Sequence, residues 1–159
     1  MGLTKVRLFE EDVASRANPK IVRVIVTNPQ GQVLICERPK QDMAGGLWNF
    51  PGGKAAFGEA PEIEAIREAY DEVGIRLETV SLFHIWRFTT NQPPDWDSYY
   101  YIAGELSPEQ LHNLTLNPEA AASMAFVGPD DLDKYQFIPG DKDVLVAFFA
   151  QVTEQNTAS

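Results

Sequence analysis

The chain is poor in cysteine, histidine and basic residues. One of its 159 residues is cysteine and two are histidine. A single cysteine, Cys36, excludes an internal disulfide and a cysteine-based zinc site, and it fits a reducing compartment. A chain of this length can bury a sizeable core without cross-links. We therefore expect a cytoplasmic protein stabilised by its own packing.

Long hydrophobic runs are also missing. No apolar run approaches the ~20 residues that span a bilayer, and the first twelve residues lack the apolar stretch of a signal peptide. Hydrophobic residues make up 44% of the chain and charged residues 23%, as in ordinary globular proteins. The length predicts one domain over residues 1–159, with a core at about 20–152 and a frayed tail at about 153–159.

Positive charge is scarce, since 13 Lys and Arg residues face 23 Asp and Glu residues and give a net charge of -10. Such a field repels a nucleic-acid backbone, so polymeric DNA or RNA is not an expected partner. A small phosphorylated substrate stays compatible with this charge, because a divalent cation can neutralise carboxylates and recruit phosphate to the same place. We expect no membrane partner.

The order of apolar patterns and turn signals predicts the architecture. Apolar, β-branched strands at 21–27 and 33–36 flank a turn-type cluster and predict a hairpin. Proline in the first turn and Gly74 just past the end predict a helix over Pro61–Val73. Further strands are predicted at 47–50, 77–90, 98–106 and 124–127, a polar loop at 91–95, and a closing helix at 141–152. Interleaved strands and helices indicate a mixed sheet packed by helices.

The helix over Pro61–Val73 has two contrasting sides. Its periodicity places apolar residues on one side, the predicted core face: Ile63, Ile66, Tyr70 and Val73. Carboxylates fall on the other side: Glu64, Glu68, Asp71 and Glu72. Like charges at this spacing cost roughly 0.2–0.5 kcal/mol per pair, and oxygen ligands suit Mg²⁺. Helix geometry alone does not distinguish a metal site from a solvated acidic face.

The spacing around this helix carries a family signature. Gly53 is followed after five residues by Glu59 and after seven more by Arg67-Glu68; Asp71-Glu72 and Gly74 complete the pattern. This run resembles the signature of the Nudix hydrolases. Asp71 departs from it, because the family has a glutamate there and aspartate reaches one methylene less far. The preceding segment 47–54, Leu-Trp-Asn-Phe-Pro-Gly-Gly-Lys, resembles the lead-in loop of MutT-type nucleoside triphosphate pyrophosphohydrolases. The similarity covers about residues 20–150.

The resemblance implies an α/β (α+β) fold, a Nudix-type α/β/α sandwich with a central mixed sheet. It implies Mg²⁺-dependent hydrolysis, with Mn²⁺ as a substitute, of a pyrophosphate bond in a small nucleoside diphosphate derivative. A ribo- or deoxyribonucleoside triphosphate is the leading substrate, and a sugar nucleotide or a dinucleotide is the alternative. A non-catalytic nucleotide-binding or regulatory module is a further alternative, against which the intact carboxylates argue. A homodimer stays open.

The resemblance also implies residue roles. The expected metal ligands are the Gly52 carbonyl, Glu68, Asp71, Glu72 and Glu119. Glu68, Glu72 and Glu119 are the catalytic candidates, and which of them serves as general base stays open. Glu119 is equally well interpreted as an exposed loop acid. Four residues are expected to be structural, with Arg67 and Glu59 forming a pair that orients the motif: Gly53, Glu59, Arg67 and Gly74.

Substrate contacts are less well defined by the sequence. Arg38 follows the second predicted strand, where relatives place a phosphate-contacting arginine; the alternative is an ordinary surface arginine. Asp141 lies near the position at which MutT-type enzymes carry a base-reading asparagine. An ionised aspartate only accepts hydrogen bonds, and Asp141 is also interpreted as the cap of the last helix. Strand aromatics are candidates for base stacking but are more typical of core: Trp86, Phe88, Trp96 and Tyr99, Tyr100 and Tyr101.

Overall fold

A computed structural model describes residues 2–7, 18–56, 58–89 and 95–158. Its strands are β1 (Gly2–Arg7), β2 (Lys20–Thr27), β3 (Val33–Glu37), β4 (Trp48–Asn49), β5 (Gly52–Lys54), β6 (Ser81–Thr89), β7 (Trp96–Glu105) and β8 (Ser123–Val127). Its helices are α1 (Pro61–Val73), α2 (Pro108–His112) and α3 (Asp141–Ala158), with a 3-10 helix at Pro129–Lys134. None of the helices in these ranges is both long and apolar enough to cross a bilayer.

Strand β2 lies at the centre of the sheet. It pairs in parallel with β7, which continues through antiparallel pairs to β6 and then β1. On its other side β2 pairs with β5 and meets β3 at Thr27 and Val33. Strand β3 pairs antiparallel with both β4 and β8. The predicted mixed sheet and the predicted hairpin at 21–36 are therefore confirmed.

The two faces of the sheet are covered by different helices. Val22, Val24 and Val26 of β2 belong to a buried cluster with the small residues of α1, whereas Ile25 belongs to a second cluster with α3. Alternate residues of one strand thus supply both cores, as the period of two requires. The predicted sandwich is confirmed. Most of the strand aromatics are core as expected, with Trp86 and all three tyrosines of β7 buried.

Several local predictions differ from the structure. Strand β6 begins at Ser81, which pairs with Ile102 of β7, rather than at residue 77. Helix α3 continues to Ala158 instead of ending at residue 152, because no glycine or proline stops the helix there. The strands β1 and β5 and the short helix α2 were not predicted. Most of the predicted loop, 91–94, lies outside the described residues.

Candidate active site

Helix α1 has the predicted ends but a different buried face. Its termini match the local signals, with proline in the first turn and Gly74 at φ 74° as the left-handed cap. The predicted core face is only partly right, because Val73 is buried and Ile66 half-buried, whereas Ile63 is 60% and Tyr70 47% exposed. The other buried residues are alanine or acidic: Glu64, Ala65, Ala69 and Glu72. The alanines let the helix lie close to the sheet, and this brings carboxylates into the interior.

The segment Pro51–Gly53 lies directly against the carboxylates of α1. A Cβ on Gly53 would stand 2.7 Å from the carboxyl carbon of Glu68, and a Cβ on Gly52 would stand 1.9 Å from the backbone oxygen of Val22. Only glycine fits at position 52 without a shift of the backbone, whereas a side chain at position 53 would displace the Glu68 carboxylate. The Gly52 N–H donates a 2.9 Å hydrogen bond to Glu72 Oε2. Gly52 is thus explained by the close approach of the Val22 backbone, and Gly53 by the close approach of the Glu68 carboxylate.

Glu68 and Glu72 are one helical turn apart and both are shielded from water. Burial raises the pKa of Glu72 above its ordinary value, and the Gly52 hydrogen bond and the charges of Arg23 and Arg38 oppose this rise. Burial raises the pKa of Glu68 as well, with the charge of Arg67 opposing it. The charge of Glu68 also raises the pKa of Glu72 by repulsion. The pair therefore favours a proton or a cation in its vicinity.

Arg67 forms ion pairs with three carboxylates of α1. Its guanidinium lies 2.7 Å from Glu64, 3.0 Å from Glu68 and 2.7 Å from Asp71. Glu64, predicted on the acidic side of the helix, is 1% exposed and accepts two hydrogen bonds from Arg67. The neighbouring Glu64 carboxylate raises the pKa of Glu59, and the charge of Arg67 opposes this rise. Arg67 and Glu59 therefore both interact with Glu64.

The side chains present fit a magnesium ion held in part by its substrate. No three His, Cys, Asp or Glu side chains of the described residues converge closely enough to hold a metal by themselves, and Asp71 is half-exposed and bound to Arg67. Mg²⁺ usually takes one or two carboxylates and completes its shell with waters and substrate phosphates. Two inward carboxylates, Glu68 and Glu72, meet that requirement.

Arg38 lies near this pair, and the loop that carries Glu119 is joined to the end of α1. Arg38 is close enough for its charge to lower the pKa of Glu72, and its Nη2 lies 2.7 Å from Asp42. Asn117 donates its N–H to the Glu72 carbonyl at 2.8 Å, and its side chain accepts from the N–H of Glu119. The loop that carries Glu119 is therefore anchored to the end of α1, and the Glu119 side chain is exposed.

Comparison with known proteins agrees with this geometry. A model of the NUDIX domain matches residues 17–154. The chain belongs to the Nudix family. It is 26% identical over 133 residues to the CTP pyrophosphohydrolase of Escherichia coli (82% of this chain, 93% of that protein). It is 38% identical over 122 residues to the RNA pyrophosphohydrolase of Aeromonas hydrophila (74% and 67%).

A further match is shorter. Over 58 residues the chain is 36% identical to the 8-oxo-dGTP diphosphatase of Proteus vulgaris, and this spans 36% of the chain and 52% of that enzyme. Among solved structures, the MutT protein from Methanosarcina mazei superimposes with a TM-score of 0.67 at 18% identity, covering 88% of this chain and 97% of that one. That likeness supports the fold. The chain is a Nudix hydrolase with the MutT-type architecture.

Asp141 occupies a place in this Nudix domain that the sequence did not indicate. It is 2% exposed, its Oδ1 accepts from the Tyr100 hydroxyl at 2.6 Å, and its Oδ2 accepts from the Phe50 N–H at 3.2 Å. The predicted cap of α3 is therefore wrong, because both oxygens are directed to other elements. Arg23, 7% exposed, lies 4.0 Å from Asp141. An arginine within the apolar strand 20–27 was the one sequence signal of this network.

Proposed function

We propose that the protein hydrolyses a pyrophosphate bond of a ribo- or deoxyribonucleoside triphosphate in the presence of Mg²⁺. The observation that carries this proposal is the pair Glu68 and Glu72 on α1, which lies against the Gly52–Gly53 backbone, with Glu72 buried and Glu68 19% exposed. A solvated acidic face would not bury its carboxylates, since burying a charge without a partner is costly. Mn²⁺ is expected to substitute for Mg²⁺.

A divalent metal ion such as Mg²⁺, when bound, would supply Lewis-acid charge neutralisation for the substrate phosphates. Glu68 and Glu72 would hold it, with the Gly52 carbonyl, Asp71 and Glu119 as further proposed donors. One of Glu68, Glu72 and Glu119 would accept the proton of the attacking water.

The remaining proposed roles concern orientation. Arg38 would contact the substrate phosphates. Its guanidinium now donates a hydrogen bond to Asp42, so it would either leave Asp42 or bind Asp42 and a phosphate together. Arg67 would orient α1 through its carboxylate contacts, supported by Glu59. Gly53 would be structural because the Glu68 carboxylate approaches it closely. Gly74 would be structural because its backbone is left-handed.

A small substrate is favoured by charge and by one relative. The net charge of -10 opposes the approach of a polyanion. The CTP pyrophosphohydrolase, of which the chain covers 93%, is named for a nucleoside triphosphate. RNA pyrophosphohydrolases are also among the relatives, so a triphosphorylated RNA end belongs in any substrate test.

The test is a phosphate-release screen with Mg²⁺ over nucleoside triphosphates, nucleoside diphosphate sugars, dinucleoside polyphosphates and 5′-triphosphorylated RNA. Each reaction is run with and without inorganic pyrophosphatase, which separates pyrophosphate from phosphate as product. Nucleotide products are also resolved by anion-exchange chromatography, because cleavage of a nucleoside diphosphate sugar or a dinucleoside polyphosphate releases neither. We expect pyrophosphatase-dependent release from a nucleoside triphosphate. Turnover restricted to sugar nucleotides or RNA would contradict the substrate, and nucleotide binding without any turnover would indicate a non-catalytic module.

Glu72→Gln keeps the shape of the side chain and removes its charge. We expect the rate to fall by a factor on the order of 10³, while circular dichroism shows an intact fold. Glu62→Gln is the matched control, because Glu62 is exposed in the first turn of the same helix. Full activity of Glu72→Gln with Mg²⁺ would show that this helix is not the catalytic centre.

A further inference from the structure

Asp141 is a buried carboxylate at the start of α3 whose partners come from three other elements. Tyr100 of β7 and the Phe50 N–H bond its two oxygens, and Arg23 of β2 provides the nearby positive charge. All three side chains are at least nine-tenths buried, with exposures of 0% for Tyr100, 2% for Asp141 and 7% for Arg23. Both oxygens of this enclosed carboxylate already accept a hydrogen bond from the protein.

The N–H of Phe50, which donates to Asp141, lies two residues before the N–H of Gly52, which donates to Glu72. Phe50 donates to Asp141, the Pro51 carbonyl accepts from Val24 at 2.9 Å, and Gly52 donates to Glu72 at 2.9 Å. Three successive residues are thus bonded to α3, β2 and α1 in turn. The lead-in to α3 adds a second attachment, because Trp48 exchanges hydrogen bonds with Gln136 at 2.8 Å and Ile138 at 2.9 Å.

We propose that Asp141 is a positioning residue: it anchors the Phe50–Gly52 segment so that the Gly52 N–H stays on Glu72. The proposal rests on the proposed function of Glu72, and it assigns Asp141 a role other than the substrate contact expected from the sequence.

The physical reason lies in the geometry of the segment. A hydrogen bond at 2.9 Å is lost when its atoms separate to about 3.6 Å, so a displacement of less than 1 Å at Gly52 releases one Glu72 oxygen. The segment has no regular helix of its own to hold it, and β5 starts only at Gly52. Partners that orient a metal-ligating side chain typically affect metal affinity or activity 10- to 100-fold.

The experiment measures the Gly52 amide directly in metal-free protein. Amide hydrogen exchange at Gly52 is followed by NMR in wild type, Asp141→Ala, Asp141→Asn and Tyr100→Phe, with Asp143→Asn as control. Asp143 is exposed on the same turn of α3. Mn²⁺ affinity is measured by electron paramagnetic resonance, and kcat and KM are measured for the nucleotide that the screen identifies.

We expect Asp141→Ala to raise Gly52 exchange and to weaken Mn²⁺ binding about 10-fold, and to lower kcat about 10-fold, with KM within twofold. Asp141→Asn keeps an acceptor for the Phe50 N–H, so it should restore part of each loss. Tyr100→Phe frees Asp141 from one partner and should shift the same readouts by less. Asp143→Asn should match wild type.

Unchanged Gly52 exchange and Mn²⁺ affinity in Asp141→Ala would overturn the proposal. A base-dependent rise in KM with an undisturbed Gly52 amide would also overturn it, because that is the signature of substrate contact. If Asp141→Ala does not fold, Asp141→Asn and Tyr100→Phe decide by the same criteria. If the wild type hydrolyses nothing, the proposed function fails, whereas the exchange and Mn²⁺ measurements still test the anchor.

Discussion

Gly53→Ala should separate activity from stability. The new methyl carbon would lie 2.7 Å from the Glu68 carboxyl carbon, whereas ordinary contact begins at about 3.4 Å. The carboxylate must therefore move by at least about 0.7 Å, the difference between these distances. The Glu68 carboxylate is the far end of a flexible side chain, and 19% of that side chain is exposed. The carboxylate can therefore move without disturbing the backbone.

The expected loss of rate follows from that displacement. Misplacing a reacting group by about 1 Å costs on the order of 100-fold, so we expect kcat/KM to fall about 10- to 100-fold, or about 1.4–2.7 kcal/mol of transition-state stabilisation. The free energy of unfolding should change by about 1 kcal/mol or less, because the clash is relieved by one side chain. Gly52→Ala should behave differently and destabilise the fold by about 3 kcal/mol, since its Cβ meets the fixed backbone oxygen of Val22.

The assay compares Mg²⁺-dependent nucleotide hydrolysis with thermal unfolding for each variant. Gly128→Ala is the control, because the nearest atom to its Cβ is Asp131 Oδ2 at an ordinary 3.8 Å. Wild-type kcat/KM in Gly53→Ala, in a protein that unfolds normally, would refute the reasoning, since the position of the Glu68 carboxylate would then have no influence on the reaction.

Two further predictions concern the acidic residues around Arg67. The Arg67 hydrogen bond lowers the pKa of Glu64 below its ordinary 4.5, so its ionised form adds stability above that pH, and this stability is lost as the pH falls through the lowered value. Glu64→Gln should therefore cost about 1–3 kcal/mol near pH 7, and denaturant unfolding should show the difference from wild type shrinking below about pH 4; a pH-independent difference would contradict this. Asp71→Glu should lower, or at least not raise, the Mg²⁺ concentration for half-maximal rate, and Mn²⁺ should rescue the wild type more than the variant. Identical metal titrations of both proteins would mean that position 71 is not a ligand.

The ends of α1 were predictable because their signals are local. Proline in the first turn and Gly74 after the last one act on neighbouring residues, and the observed bounds match the prediction. The buried face was not predictable from periodicity. Ile63 and Tyr70 are the larger apolar residues, yet Ala65 and Ala69 lie inside, because the helix must approach Gly53 closely and only small side chains permit this.

The sequence by itself determined the family and the mixed sheet between helices, and it predicted the carboxylates that we propose for the site. It did so because the signature is a fixed spacing along one continuous stretch, from Gly53 to Gly74. Only the tertiary structure decided what surrounds these carboxylates. The Asp141 bonds to Phe50 and Tyr100 join residues 91 and 41 positions apart, and no local pattern records such distances. Asp141 is buried and Glu119 is exposed, but the sequence shows only that both are acidic. The packing of α3 against β2 and β7 gives Asp141 its partners.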